Sequence, residues 1–92
     1  MIRSFRDSSL KKQWENGDQL PNKTLIAEQM FDVLDSIDAA GSPLDPAFIG
    51  FRFHEWTEAS QPRFGLLVTD HWLISYSWSD GHAIDVDLER ID

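Results

Sequence analysis

The sequence predicts an α+β domain in which an N-terminal strand and two helices pack on one face of an antiparallel sheet. Two patterns carry this prediction. Apolar residues recur every three or four positions between Ile26 and Ile37, and the spacing changes to two after Ile49. The first pattern is typical of an amphipathic helix and the second of strands that bury one face. We expect residues 1–92 to form a single domain, because two domains of roughly 45 residues each would bury too little surface to fold alone.

The N-terminal half begins with a short alternating segment from Ile2 to Phe5, which predicts a strand. Asp7 or Ser8 can cap a first helix that runs from Ser9 to about Asn16, and Gly17 ends it. A second helix begins after Thr24 and ends near Gly41, with an apolar stripe formed by Ile26, Met30, Val33, Leu34 and Ile37. Two prolines make residues 41–46 a connection without regular structure.

The C-terminal half contains four alternating apolar sets. They are Ile49, Phe51 and Phe53; Phe64, Leu66 and Val68; Trp72, Ile74, Tyr76 and Trp78; and Ile84, Val86 and Leu88. Alternation places the residues between them on the opposite face of the sheet, away from the helices. This helix-free face is predicted to carry Arg52, His54, Leu73, Ser75, Ser77, Asp85 and Asp87.

The turn at Ser79-Asp80-Gly81 fixes the register of the last two strands. A two-residue Asp-Gly loop would set Tyr76 opposite Asp85, which mixes core with surface. A three-residue loop with Gly81 in the left-handed conformation sets Trp78 opposite His82, Tyr76 opposite Ile84 and Ile74 opposite Val86. We therefore predict the three-residue loop.

Composition excludes several classes of protein. The 16 acidic residues outnumber the 8 basic ones, so the net charge of -8 argues against a basic nucleic-acid-binding domain. Apolar residues make up 41% of the chain, which argues against disorder. The absence of cysteine excludes disulfides, thiolate metal ligands and a cysteine nucleophile. No stretch has the apolar length of a signal peptide or membrane span, so we expect a cytoplasmic protein with no membrane contact.

His54 is the strongest candidate for chemistry, because a histidine beside Arg52 on the helix-free face can act as a general base near neutral pH. Asp85 and Asp87 share that face and can serve acid-base chemistry or bind a cation. Two plainer interpretations stay open, a surface histidine and a solvated acidic edge that discourages sheet association. The three histidines show no metal-ligand spacing, so we expect neither a metal nor another cofactor.

Motifs along nearly the whole chain, taken in order, resemble one known family. These are Ile2-Arg3-Ser4-Phe5, Leu10 and Gly17, Leu34-Asp35-Ser36-Ile37-Asp38-Ala39-Ala40, Phe53-His54, Trp72 with Ile74, and Asp80-Gly81-His82-Ala83-Ile84-Asp85-Val86-Asp87. The last three sets are similar to the family's Leu-His-Pro-Leu-Lys-Gly, Asn-Trp-Arg-Ile and Asp-Gly-x-Ala-x-Asp-Val-x. The chain thus resembles the HigB branch of the RelE superfamily, toxins of bacterial type II toxin-antitoxin modules.

The resemblance implies a RelE-like, microbial RNase-like fold and metal-independent cleavage of messenger RNA in the ribosomal A site. It implies two kinds of partner, a cognate antitoxin of helix-turn-helix type and the ribosome with its message. His54 falls on the family's strand histidine, and we assign the candidate catalytic set as His54, Arg52 and Asp85. The oligomeric state is left open.

The chain departs from the family where cations are expected. The lysine three positions after the histidine is Thr57, the arginine after the tryptophan is Leu73, and the terminal Asp-Tyr-His is Arg90-Ile91-Asp92. We therefore expect RNA cleavage to be weak or lost. Two other hypotheses remain: a non-catalytic acidic protein that binds a basic partner on the same scaffold, and an active nuclease with relocated residues.

Overall fold

The computed structural model describes residues 1–16, 25–44, 53–58 and 60–90. Two helices and a four-stranded antiparallel sheet confirm the predicted α+β class. The elements are α1 (Ser8–Asn16), α2 (Leu25–Ala39), β1 (Phe53–Glu58), β2 (Gln61–Leu67), β3 (Trp72–Ser79) and β4 (His82–Arg90). The strands lie in the order β1-β2-β3-β4, so the chain forms a simple meander. The expected strand residues Ile49, Phe51 and Arg52 lie outside the described part of the chain.

The first six residues lie along the outer edge of β4, in the direction parallel to it. Ile2 and Phe5 form isolated parallel bridges to Ala83 and Val86. The segment predicted as a strand on one face of the sheet is thus two bridging residues at its edge. The Arg3 amide donates to the Ala83 carbonyl at 2.8 Å. Ile2 and Phe5 also pack against the core, so the segment covers β4 with both backbone and side-chain contacts.

The first helix is capped by Asp7, one of the two residues that the sequence allowed. Its Oδ1 accepts the Ser9 amide at 2.8 Å and the Leu10 amide at 3.2 Å. A carboxylate here satisfies amides that have no partner within the helix, and it interacts favourably with the positive end of the helix dipole. Leu10 is then carried into the core, where its side chain is buried.

The core lies between α2 and the central strands. The predicted stripe is buried at Met30, Val33, Leu34 and Ile37, and it packs with Leu66, Ile74, Tyr76 and Val86. The Tyr76 hydroxyl donates to the Pro43 carbonyl at 2.9 Å, which ties the turn after α2 to the middle of β3. The Ile2 amide donates to Asp38 Oδ1 at 2.9 Å and joins the N-terminal segment to α2.

The β3-β4 hairpin differs from the prediction. Ser79 pairs with His82, so the loop contains only Asp80 and Gly81, with φ angles of 52° and 81°. Two consecutive positive φ angles match the right-handed twist of the hairpin, and Asp-Gly is among the sequences that adopt them most readily. The predicted three-residue loop is therefore wrong, and so are its pairings of Trp78 with His82, Tyr76 with Ile84 and Ile74 with Val86.

A bulge in β4 removes the conflict that had argued against the shorter loop. The register shifts between Ser75 and Ser77, where Asp85 has a φ of 51°. The extra residue lets Ile74 pair with Leu88 and Ser75 with Asp87, and Val86 and Leu88 pack on the helix side as predicted. Before the bulge the helix side is taken by Ala83. Ile84 pairs with Ser77 and therefore lies on the helix-free face, so its predicted orientation is wrong.

Candidate functional site

The helix-free face contains a row of side chains that crosses all four strands. His54 of β1 pairs with Gly65, Gly65 with Ser75, and Ser75 with Asp87 of β4. Because paired residues in a sheet share a face, His54 and Asp87 lie on the same, helix-free face, as predicted. Neighbouring strands are about 4.8 Å apart, so the backbones at the two ends of this row lie roughly 14 Å from each other.

His54 lies at the β1 end of the row and is exposed. Its ring centroid is 5.3 Å from that of Trp56, with an angle of 37° between the ring planes. Trp56 is half-buried and contacts the imidazole, which stays exposed to solvent. Arg52, the proposed neighbour of His54, lies outside the described residues.

Asp85 lies on β4, at the other edge of the four-stranded sheet from His54, with β2 and β3 between them. Two intervening strands separate their backbones by about 14 Å, beyond the reach of a direct hydrogen bond. The bulge also gives the Asp85 backbone partners: its amide donates to Ser4 Oγ at 2.9 Å, and its carbonyl accepts from Arg63. The structure therefore does not bring His54 and Asp85 together, and their catalytic roles stay predictions.

The centre of the helix-free face is organised by Arg63, which the sequence analysis did not single out. Its side chain is only 1% exposed and extends from β2 across β3 to β4. Nη1 donates to Ser77 Oγ at 3.0 Å and to the Asp85 carbonyl at 2.9 Å, and Nη2 donates to Ser75 Oγ at 2.7 Å. A planar guanidinium can bond several acceptors at once, and this one joins three strands.

A sequence signal for Arg63 exists in the alternation of β2. Phe64 and Leu66 face the helices, so residues 63 and 65 must face away from them. The predicted face already contained Ser75 and Ser77, two hydroxyls at spacing two that suit a forked donor on the neighbouring strand. The signal was missed because the predicted alternating set began at Phe64, whereas β2 begins at Gln61.

Trp56 and Leu73 close the face over Gly65. A Cβ at Gly65 would lie 3.0 Å from Leu73 Cδ1 and 3.2 Å from Trp56 Cζ3, so the glycine lets both side chains approach the backbone. Leu73 is 7% exposed. It lies on the face that was predicted, but it is packed there and does not point freely into solvent. Arg63, Trp56 and Leu73 thus form a second, smaller layer of packing on this face.

Thr57, the other position where the resembled family has a cation, lies on the opposite side of β1. It pairs with Pro62 and shares the orientation of Phe53 and Glu55, whereas His54 and Trp56 point the other way. Thr57 and His54 are both exposed. A side chain at 57 would therefore reach the neighbourhood of His54 only by passing around the edge of the sheet.

The β4 end of the row is acidic. Burial raises the pKa of Asp87 above its ordinary value of 3.8, and repulsion from Glu89 and Asp7 adds to the rise. The Leu88 amide, which donates to Asp87 Oδ1 at 2.9 Å, and the charge of Arg6 oppose it. This end of the face is thus a partly desolvated carboxylate beside other acids, which does not favour a polyanionic ligand.

The remaining histidines lie apart from His54. His71 is exposed in the β2-β3 turn, and its amide donates to Thr69 Oγ1 at 3.1 Å. His82 is half-buried at the start of β4, and its Nδ1 has no hydrogen-bond partner within the described residues. Across residues 1–16, 25–44, 53–58 and 60–90, no three His, Asp or Glu side chains are arranged to hold a metal ion.

Comparison with known proteins leaves the chain without an assigned family: no protein-family model matches the sequence, and no curated protein is significantly similar to it. In the described part of the chain, neither helix combines the length and apolar character needed to cross a lipid bilayer.

Proposed function

We propose that the chain is the toxin-type component of a HigB-like, RelE-superfamily toxin-antitoxin module whose messenger RNA cleavage is weak or lost. The observation that carries this proposal is the exposure of His54 on the helix-free face of β1, at the position that the resembled motif gives to the strand histidine. The α+β layout, with a segment paired to β4 at the N-terminus and a helix layer on one face, agrees with the fold that the resemblance implies.

The weakness of the activity follows from the surroundings of His54. Cleavage through the ribose 2′-hydroxyl needs a base, an acid for the leaving oxygen and donors for the added negative charge. The family's cation positions hold Thr57, on the other face, and Leu73, which is buried. Loss of one preorganised donor to a developing oxyanion typically costs about 2.7–4 kcal/mol, or about 10²–10³ in rate. Two such losses reduce the rate far below that of a complete site.

Charge supports the same conclusion. A ribosome-bound message is a polyanion, and proteins that bind one gain affinity by displacing counterions with lysine and arginine. This chain has a net charge of -8, and its helix-free face ends in Asp87 beside Glu89. Close-range repulsion persists at physiological salt, where the Debye length is about 8 Å.

The test is induced expression with and without the neighbouring gene, with growth and messenger RNA cleavage scored together. We expect the parent chain to inhibit growth weakly or not at all. A variant with Thr57→Lys, Leu73→Arg and Asp92→His should gain ribosome-dependent cleavage, which adding His54→Ala should abolish and adding His71→Ala should leave unchanged. Because Leu73 is packed against Gly65, each variant is first checked for a cooperative thermal transition.

Two results would overturn the proposal. One is strong cleavage by the parent that His54→Ala leaves unchanged, since His54 would then have no part in the chemistry. The other is a folded triple variant that neither cleaves RNA nor pellets with ribosomes, while the adjacent gene encodes no protein that binds the chain.

A second candidate is a non-catalytic acidic protein that binds a basic protein partner. The packed centre of the helix-free face favours it, because Arg63, Trp56 and Leu73 fill space where a substrate would lie in a cleft. Ribosome pelleting at about 0.1–0.15 M salt separates the two candidates, since steep weakening with salt indicates phosphate contacts. Absence of pelleting, together with stoichiometric binding to a basic protein, would favour this second function.

A further inference from the structure

The two edge strands of the sheet differ in whether another segment pairs with their outer side. The outer edge of β4 is covered by residues 1–6, through hydrogen bonds that include Arg6 amide to Val86 carbonyl at 2.8 Å. β1 forms the opposite edge, and in the described part of the chain no strand pairs with its outer side. It contains no proline, and it pairs with β2 without a register shift, so it lacks two common devices that block edge pairing.

We propose that β1 is the interface for a second copy of this chain, with the two β1 strands antiparallel and a two-fold axis at Trp56. Such pairing would join two four-stranded sheets into one of eight strands. A two-fold axis that makes identical strands antiparallel neighbours must be perpendicular to the sheet. It therefore pairs residues of the same face, so one residue of β1 must lie directly opposite its own copy, with the axis midway between the two copies.

Charge excludes one residue as the one that lies opposite its own copy, and aromatic pairing favours another. An axis at Glu55 would set Glu55 directly opposite itself, and like charges in that position are destabilising. An axis at Trp56 sets Glu55 opposite Thr57 of the second copy, and it places the two indole rings side by side on the helix-free face. Aromatic cross-strand pairs are among the stabilising ones. Trp56 is already held against Gly65, so little side-chain freedom is lost on association.

The helix layer leaves room for this arrangement. α2 packs against β3, two strands inward from the β1 edge. In a joined sheet the two β3 strands would be five strand spacings apart, or roughly 24 Å, which exceeds the 10–12 Å diameter of a helix. Glu55 and Thr57 are exposed in the single chain, so pairing does not require either to leave the core.

The first test changes charge at the paired positions and measures the dimer dissociation constant by analytical ultracentrifugation. Thr57→Glu sets a carboxylate opposite Glu55 twice per dimer and should weaken association between about two- and thirty-fold, whereas Thr57→Lys should strengthen it within the same range. Glu55→Lys with Thr57→Glu restores opposite charges across the pair and should bind more tightly than the parent, to the same degree as Thr57→Lys. Ala39→Glu and Ala39→Lys, on the exposed side of α2, are the matched controls and should have little effect.

The second test uses the absence of native cysteine. Directly opposed residues have Cα atoms about 4.5–5.5 Å apart, which suits a disulfide. Glu55→Cys with Thr57→Cys should give a covalent dimer on mild oxidation, and Glu55→Cys alone should give much less. A chain that is monomeric at every concentration up to the millimolar range would overturn the proposal. Efficient cross-linking by Glu55→Cys alone, or a dimer indifferent to the charge changes, would overturn it as well.

Discussion

Replacement of Arg63 by methionine is the sharpest test of how the helix-free face is held together. Methionine keeps an unbranched apolar side chain in the buried position but removes the forked donor. Three described acceptors then lose a partner: the hydroxyls of Ser75 and Ser77 and the carbonyl of Asp85. The Asp85 carbonyl is the most affected, because the positive φ of the bulge fixes its direction while a serine hydroxyl can rotate.

The magnitude follows from those contacts. Hydrogen bonds to a charged donor contribute about 1.5–3 kcal/mol each, so three of them set an upper limit of about 9 kcal/mol. Removing the buried cation also removes its desolvation cost, and contacts within one network are not additive. We therefore expect Arg63→Met to lower the free energy of unfolding by about 3–5 kcal/mol, near the largest effects that single substitutions produce.

The assay is urea unfolding followed by tryptophan fluorescence and circular dichroism. Arg63→Lys should not rescue stability, because a single ammonium cannot span acceptors on two strands as the guanidinium does. The triple change Arg63→Met, Ser75→Ala and Ser77→Ala should recover about 1–2 kcal/mol relative to Arg63→Met, since it no longer leaves two hydroxyls without their donor. Arg3→Met, at an exposed arginine, is the control and should change stability by less than about 0.5 kcal/mol.

Two results would refute this reasoning. A cost below about 1 kcal/mol for Arg63→Met would mean that the network adds little beyond what water supplies to the unfolded chain. A triple variant less stable than Arg63→Met would mean that the serines stabilise the sheet through contacts other than those with the guanidinium.

Three further predictions concern single positions. Ile74→Asp should prevent folding, because it buries a carboxylate in a fully inaccessible core site, whereas Ile74→Val should cost only about 0.5–1.5 kcal/mol; a near-native melt of Ile74→Asp would contradict the packing of α2 on β3. Asp87→Asn should raise the melting temperature near pH 7, because the raised pKa of Asp87 means that the native state favours its neutral form. The gain in melting temperature should vanish as the pH falls below 3.8, where the carboxyl is neutral in the unfolded chain as well. A gain that does not depend on pH would exclude this cause. Gly81→Ala should destabilise the hairpin by about 1–2 kcal/mol, because an L-residue is strained at a φ of 81°. Steric contact adds nothing, since no atom lies within 4 Å of an added Cβ. D-alanine introduced at position 81 by chemical synthesis should therefore not lower the stability.

The class of the fold was predictable because it depends on periodicity. The change from helical to alternating spacing predicts α2 and the strands that follow it, although β2 begins at Gln61 and not at Phe64. The burial of Ile37, Ile74 and Val86 follows from the same patterns. The cap at Asp7 was predictable as one of two choices, because only a short polar side chain before the helix can accept its first amides.

The register of the last hairpin was not predictable from alternation, because two physical preferences conflict there. The pattern of core residues argued against a two-residue loop, while the backbone preference of Asp80-Gly81 favours it. The chain satisfies both by inserting Asp85 as an extra residue. Alternation assumes a constant period of two, so it cannot reveal a bulge four residues beyond the turn.

The position of Arg63 limits where chemistry can occur on the helix-free face. In a cleft, a cation between His54 and Asp87 would be available to an anionic ligand, but here its guanidinium bonds Ser75, Ser77 and a β4 carbonyl. The Arg63 guanidinium that joins three strands is therefore buried, and its positive charge is not available at the surface of this face. The row then has an exposed histidine at one end and a half-buried carboxylate at the other, with their backbones roughly 14 Å apart. Among the described residues, a reaction at His54 must then draw its further groups from the β1 edge or from the ligand, which is why adding cations near His54, and not changing Asp87, is the appropriate way to recover activity.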